Sequence, residues 1–230
     1  MHKHGLRTLG LSIMAALGLM AFAGVAQAAT LSDGGKAGTF LVSLGTALVP
    51  NTTIGGLGTT TGTLLVAGRN LDILCTHTHV LTGSKFISST EGLLLLLFLG
   101  CETFEHNNHA VKLPCEIPGK DIHAHAIIKP KLHEGKLFVL ASGAPFTKFT
   151  YASGTGCPLP LAVEISGSVV AEVEEDSASN LVSLSEAIQK LFQSGGVGDK
   201  LLYGTFESFV NADAKAELTG AHAGLKFGCI

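Results

Sequence analysis

The sequence predicts an all-β protein, an antiparallel β-sandwich with one short α-helix and disulfide staples, preceded by an N-terminal signal-peptide helix. Segments rich in Val, Ile, Thr and Leu alternate with glycine-rich turns, one segment has helical periodicity, and five cysteines follow an apolar leader. Many short strands with closely spaced turn signals are typical of sandwich folds. A closed sheet in an outer membrane is the alternative, but two Tyr and no Trp provide little material for its aromatic girdles.

The predicted signal peptide covers residues 1–28. A short basic start with Lys3 and Arg7 precedes an uncharged, mostly apolar run from Leu9 to Ala26. The run ends in a small-residue A-x-A site, so we expect cleavage after Ala28 and export of the chain. A retained membrane anchor is the alternative, because the apolar run is about as long as a thin spanning helix. The layout resembles a bacterial export signal, which predicts the periplasm, the cell surface or the medium as the location.

The exported part, residues 29–230, is long enough for a single mostly-β domain with a sizeable core. Loss of the leader leaves 13 basic and 18 acidic residues, a net charge of −5. No basic patch with interleaved aromatic residues occurs, which argues against nucleic acid as a partner. Charged residues are only 14% of the chain, so repulsion between copies is weak. We therefore expect the mature form not to span a membrane and to bind itself or other cell-surface components.

The five cysteines all lie in the exported part, where an oxidising compartment favours disulfides. Five cysteines allow fifteen arrangements with two bridges. Sequential pairing predicts Cys75–Cys101 and Cys115–Cys157. A hairpin centred on residues 88–90 would bring the first pair opposite each other, within the distance that a disulfide requires. Cys229 is then left free or available for an intermolecular bond.

Local patterns predict the individual elements. Residues 34–63 are dense in Gly and Thr, which favours short strands that we expect at a sheet edge. The run Leu93–Leu99 is too short to cross a membrane as a helix and predicts a central strand buried on both faces. Ser183 and Glu186 form a capping-box pattern ahead of a single amphipathic helix, which a Ser-Gly-Gly sequence at 194–196 would end. Further strands are expected at 122–128, 136–140, 146–152, 163–173, 201–210 and 214–218.

Histidines give the strongest chemical signal, because six of the eight in the exported part form three close pairs: His77/His79, His106/His109 and His123/His125. Residues i and i+2 of a strand point to the same side, so each H-x-H pair presents two imidazoles together. Two such pairs on neighbouring strands could supply four nitrogens to copper or zinc. This predicts His77, His79, His123 and His125 as metal ligands, with His106 or His109 as further contributors.

Strand parity argues against this metal site. His77 and His79 share their parity with the apolar residues Ile73 and Cys75, whereas His123 and His125 alternate with an apolar set. The first pair is then expected near the core and the second pair in solvent. The two pairs would converge only if a bulge or a sheet corner intervened.

The function that this sequence favours is non-enzymatic. No G-x-S-x-G, phosphate-binding loop, zinc-finger spacing or EF-hand loop occurs, so no catalytic residue and no cofactor-binding residue is assigned. The leading hypothesis is an exported structural or surface protein that acts by self-association or adhesion. The alternative is an exported metal-binding protein that uses copper or zinc.

Overall fold

The structure is a computed structural model that describes residues 36–37, 40–42, 46–47, 53–58, 62–66, 71–106, 108–154, 156–175, 180–193, 200–223, 225 and 227–229. The predicted signal peptide and its cleavage site lie outside these residues. None of the helices among the described residues is long and apolar enough to cross a membrane.

Strands account for most of the described chain. The first eleven are β1 (Lys36–Ala37), β2 (Phe40–Val42), β3 (Thr46–Ala47), β4 (Thr53–Gly58), β5 (Gly62–Val66), β6 (Leu71–Cys75), β7 (His77–Val80), β8 (Lys85–Ser88), β9 (Glu91–Leu99), β10 (Glu102–Glu105) and β11 (Asn108–Lys112). The others are β12 (Ile122–His133), β13 (Lys136–Thr150), β14 (Ala162–Glu175), β15 (Asn180–Leu184), β16 (Leu201–Tyr203), β17 (Phe206–Thr219) and β18 (Phe227–Cys229). One α-helix, α1 (Glu186–Gln193), lies between β15 and β16.

Eight strands pair antiparallel into a path that closes on itself, here called the ring. Its order is β4-β17-β15-β14-β13-β12-β9-β7, and β4 completes the circuit by pairing with both β17 and β7. The β4–β7 seam consists of a single residue pair, Leu57 with His79. The mostly-β antiparallel class and the short helix are thus confirmed. The sandwich is not confirmed, because the large sheet closes on itself, and the short strands β18, β2 and β3 form a small separate sheet.

Four strands extend from the ring, here called the arm, in the order β5-β6-β10-β11. The arm shares β17 with the ring: residues 209–211 of β17 pair with β5, and residues 214–219 pair with β4. Strands β4 and β5 each have a neighbour on both sides. The expectation that the Gly/Thr-rich segment forms edge strands is therefore wrong for β4 and β5.

The two predicted disulfides are present, Cys75–Cys101 and Cys115–Cys157. The first joins the end of β6 to the residue before β10, because β8 and β9 fold back through the turn at 89–90. The second joins the segment after β11 to the segment before β14. The side chains of all four cysteines pack in one apolar core. Disulfides of this kind indicate an oxidising compartment outside the cytoplasm.

Helix α1 packs on the outside of the ring. Ile188 and Phe192 meet Phe138 and Val170, and the rings of Phe138 and Phe192 are 4.7 Å apart. The helix begins after Ser185, whose Oγ accepts a hydrogen bond from the amide of Ile188. The predicted cap, Ser183, is instead a strand residue paired with Asp213. The capping-box prediction therefore placed the start of the helix two residues too early, because β15 continues to Leu184.

Strand β9 departs from its prediction in exposure. Phe98 is buried, but the leucines before it are half-buried. Leu94 and Leu96 face the interior of the ring, so Leu95 and Leu97 alternate to its outside. The strand is central, between β12 and β7, but the prediction of burial on both faces is wrong.

Candidate functional site

The four histidines predicted as metal ligands lie on one outer face of the ring. His79 on β7 and His123 on β12 are both directly opposite Leu97 of β9. Directly opposite residues of a sheet share a face, and Thr78 and Leu96 beside them face inward. His77 and His125 occupy the same outer face, opposite Leu99 and Leu95.

The parity argument is confirmed for His123 and His125, which are exposed, and is wrong for His77 and His79, because the chain breaks its alternation at Thr76, between β6 and β7. Cys75 is buried, both Thr76 and His77 are exposed, and Thr78 is buried again. One residue between the two strands therefore turns His77 and His79 from the core side to the outside.

Although they share a face, the two pairs remain separated by β9. Two inter-strand spacings place β7 and β12 about 10 Å apart, with a row of leucines between them. The rings of His77 and His79 are themselves 6.5 Å apart. Among the described residues, no group of three or more His, Cys, Asp or Glu side chains is arranged to hold a metal ion. Copper or zinc binding by His77, His79, His123 and His125 therefore stays a prediction.

The third histidine pair has a different role, in a cluster around Asp72 of β6. His106 Nδ1 lies 2.8 Å from Asp72 Oδ1, and His109 Nε2 lies 2.8 Å from Asp72 Oδ2. The Asp72 residue is 1% exposed, whereas the His106 and His109 side chains are 35% and 50% exposed. Each carboxylate oxygen accepts a hydrogen bond in the tautomer that places the imidazole proton on the nitrogen facing it. The cluster ties β11, through His109, to β6 on the far side of β10.

Sequence reasoning missed Asp72 as the centre of this cluster. Asp72 stands inside the apolar strand Leu71–Cys75, where an acidic side chain needs a partner if it is to be buried. An acidic residue within an apolar strand is the sequence signal by which this cluster could have been predicted. The pairing of β10 with β6 supplies the rest, because it brings the turn after β10 over Asp72.

A second polar contact holds β11 from the other end. Glu102 Oε1 of β10 lies 2.8 Å from Lys112 Nζ and 2.6 Å from Lys120 Nζ. Hydrogen bonds from these two ammonium groups, Lys112 first, lower the pKa of Glu102 to about 2. Glu102 is therefore ionised throughout the physiological range.

Strand β11 is the open edge of the large sheet. All five of its residues are exposed, and β10 is its one partner among the described strands. Val111, one residue from its centre, is 43% exposed. An edge strand of this kind presents unpaired backbone N–H and C=O groups that can receive another strand.

The interior of the ring contains an apolar cavity of about 80 Å³. Its walls come from seven of the eight ring strands and from Phe227 of β18; the exception is β14. The backbone of Phe227 is fixed by Asn180, which donates from Nδ2 to the Phe227 carbonyl at 2.8 Å and accepts its N–H at 3.0 Å. Strand β18, which the buried side-chain amide of Asn180 holds in place, thus forms part of the cavity wall.

One buried histidine has no role in these sites. His133 at the end of β12 is 3% exposed, and neither ring nitrogen has a hydrogen-bond partner among the described residues. Its ring packs edge-on against Phe192 at 5.4 Å and Phe138 at 6.2 Å. It acts as an aromatic residue between α1 and the ring.

Comparison of the chain with protein-family models, with curated proteins and with solved structures finds no match. The function therefore has to be argued from the ring, the arm and their chemistry alone.

Proposed function

We propose that the mature protein is an exported, non-enzymatic structural or surface protein that acts by self-association, and that β11 of one copy pairs with β11 of another. The observation that carries the proposal is the full exposure of β11 along an otherwise paired sheet. The leader predicts delivery to the periplasm, the cell surface or the medium, and the two disulfides agree with an oxidising location.

Strand β11 is already held in place in a single copy of the protein. His109 is bound to the buried carboxylate of Asp72, and Lys112 is bound to Glu102. These contacts anchor β11 through its side chains, and no described strand pairs with its outer backbone edge. A strand that is already ordered loses less conformational entropy on pairing, which favours association.

The sequence of β11 is complementary to itself. In a two-fold antiparallel pair centred on Ala110, each Asn108 lies opposite Lys112 of the second copy, and each His109 lies opposite Val111. The two lysines are then at opposite ends of the pair and do not repel each other directly. The mature net charge of −5 adds little long-range repulsion. A second copy of this chain is therefore the partner that the edge fits.

The test compares two apolar residues of equal exposure. Val111 in β11 and Ile87 in β8 are each 43% exposed. A lysine on an edge strand opposes pairing, so we expect Val111→Lys to weaken dimer formation at least tenfold in sedimentation analysis. Ile87→Lys adds the same charge away from the edge and should leave the dimer unchanged. A mature protein that stays monomeric at all concentrations, or that loses its dimer with Ile87→Lys instead, contradicts the proposal.

The metal-binding alternative has its own test, because the four outer histidines share one face. If it is correct, the mature protein binds stoichiometric copper or zinc, and the double substitution His77→Ala/His79→Ala removes that metal. Self-association through β11 does not require these residues and should persist in the same variant. Metal analysis and sedimentation on one preparation therefore separate the two functions.

A further inference from the structure

We infer that the ring holds a binding site for one small, uncharged, mostly apolar molecule in its interior cavity. The site does not depend on self-association, because the cavity is inside the ring and β11 belongs to the arm. The size of the cavity and the composition of its walls define the ligand.

The cavity persists because one wall is built from alanines. Ala212, Ala214 and Ala216 are successive inward-facing residues of β17, and all three line the cavity. Larger residues, including Leu94 and Leu96 of β9, face the same space from another wall. Protein interiors are normally packed to the density of organic crystals, and unfilled apolar space forfeits dispersion contacts. A molecule that fills the space recovers them.

Wall chemistry excludes a charged ligand. None of the described residues that line the cavity is ionisable, and a buried charge without a partner is strongly disfavoured. The volume of 80 Å³ is several times the roughly 10–15 Å³ that one water needs, yet well below the roughly 300 Å³ at which drug-sized pockets begin. A molecule of about one aromatic ring fits, and a long lipid chain does not.

The surface of the cavity presents no polar atom. Thr78 is the one described lining residue with a polar side-chain atom, and its Oγ1 is buried away from the cavity surface. A polar group on a ligand would therefore lose its hydrogen bonds to water without replacement. A wholly apolar molecule is the ligand that these walls favour.

The experiment measures the melting temperature of the mature, disulfide-bonded protein with toluene, phenol or benzoate. A ligand that binds only the folded state raises this temperature. We expect toluene at saturation to raise it by about 2–4 °C, which corresponds to a modest affinity for a chain of this size. Phenol should raise it less, because its hydroxyl group would be buried without a partner. Benzoate is charged and should produce no shift. No shift with toluene, or an equal shift with benzoate, overturns the inference.

Two variants place the effect in the cavity. Ala214→Leu fills the space and should reduce the toluene shift at least fivefold, whereas Ala162→Leu, at an exposed position of β14, should leave it unchanged. If Ala214→Leu does not fold, Leu96→Ala serves instead, because a larger cavity should strengthen toluene binding. Equal shifts in the cavity and control variants refute the site.

Discussion

The ring and the arm of this protein are stabilised by different means. In the ring, apolar side chains from eight strands face a common interior, and every ring strand has neighbours on both sides. In the arm, β6 adds Leu71 and Ile73 to the same apolar core. The outer strands β10 and β11 are joined to it by a disulfide, a buried carboxylate with two histidines and a glutamate with two lysines, and the last strand is open. The comparison teaches that cross-links and polar contacts support a free edge where little apolar surface can be buried.

The largest expected effect comes from the ring. Phe98 is 2% exposed and faces the interior, whereas Leu99 beside it is half-buried on the outer face. Phe98→Ala removes an aromatic side chain from the core and should lower the free energy of unfolding by about 3–5 kcal/mol. Leu99→Ala should cost well under half as much. Urea unfolding measures both, and equal losses would show that the two faces of β9 do not differ.

The disulfide of the arm should rank next. Cys75 and Cys101 are 26 residues apart, and releasing a loop of that length costs roughly 3–4 kcal/mol in the chain-entropy account. We expect the double substitution Cys75→Ser/Cys101→Ser to lower stability by that amount and to speed amide exchange in β10 and β11 before the ring. Cys229→Ser, outside both bridges, is the control. Simultaneous loss of protection in ring and arm would mean that the two unfold as one unit.

A smaller effect should follow from the Asp72 cluster. Asp72→Asn keeps the shape of the side chain but replaces one acceptor oxygen with an NH2 donor, so one of the two imidazoles must change tautomer to stay bonded and the hydrogen bonds to a carboxylate are lost. We expect a loss of about 1–3 kcal/mol, concentrated in β11. Hydrogen exchange of the β11 amides should rise while exchange in β13 and β14 stays unchanged. Unaltered protection of β11 would mean that the cluster does not anchor the edge.

The smallest effect should be a pH dependence from Glu102. Because its pKa is lowered to about 2 from the ordinary value of 4.5, the folded state binds this proton less readily than the unfolded state. Its stabilising contribution is therefore complete above pH 4.5 and is lost as the pH falls toward 2. Protection of β11 amides should decline over that interval, and Glu102→Gln should remove this part of the decline. An identical pH profile in wild type and variant contradicts the assignment.

Local features were predictable from the sequence and long-range pairing was not. Alternating and β-branched segments predicted most of the long strands, and sequential pairing predicted both disulfides. The closure of the ring depends on β4 meeting β17, some 160 residues later, and such contacts leave no local pattern. The break at Thr76 is a single residue wide, yet it reverses the face of His77 and His79. The cavity depends on the small size of three alanines in β17, and in the sequence this segment has the pattern of an ordinary alternating strand.

The β11 pairing can be tested most directly by cross-linking. In a Cys229→Ser background, Ala110→Cys places two thiols opposite each other across the two-fold axis, within reach of a disulfide. We expect oxidation to convert this variant to a covalent dimer. Val111→Cys, one residue along the strand, lies opposite His109 and should remain monomeric under the same conditions. A dimer that forms equally from both variants, or from neither, would contradict the proposed edge-to-edge assembly.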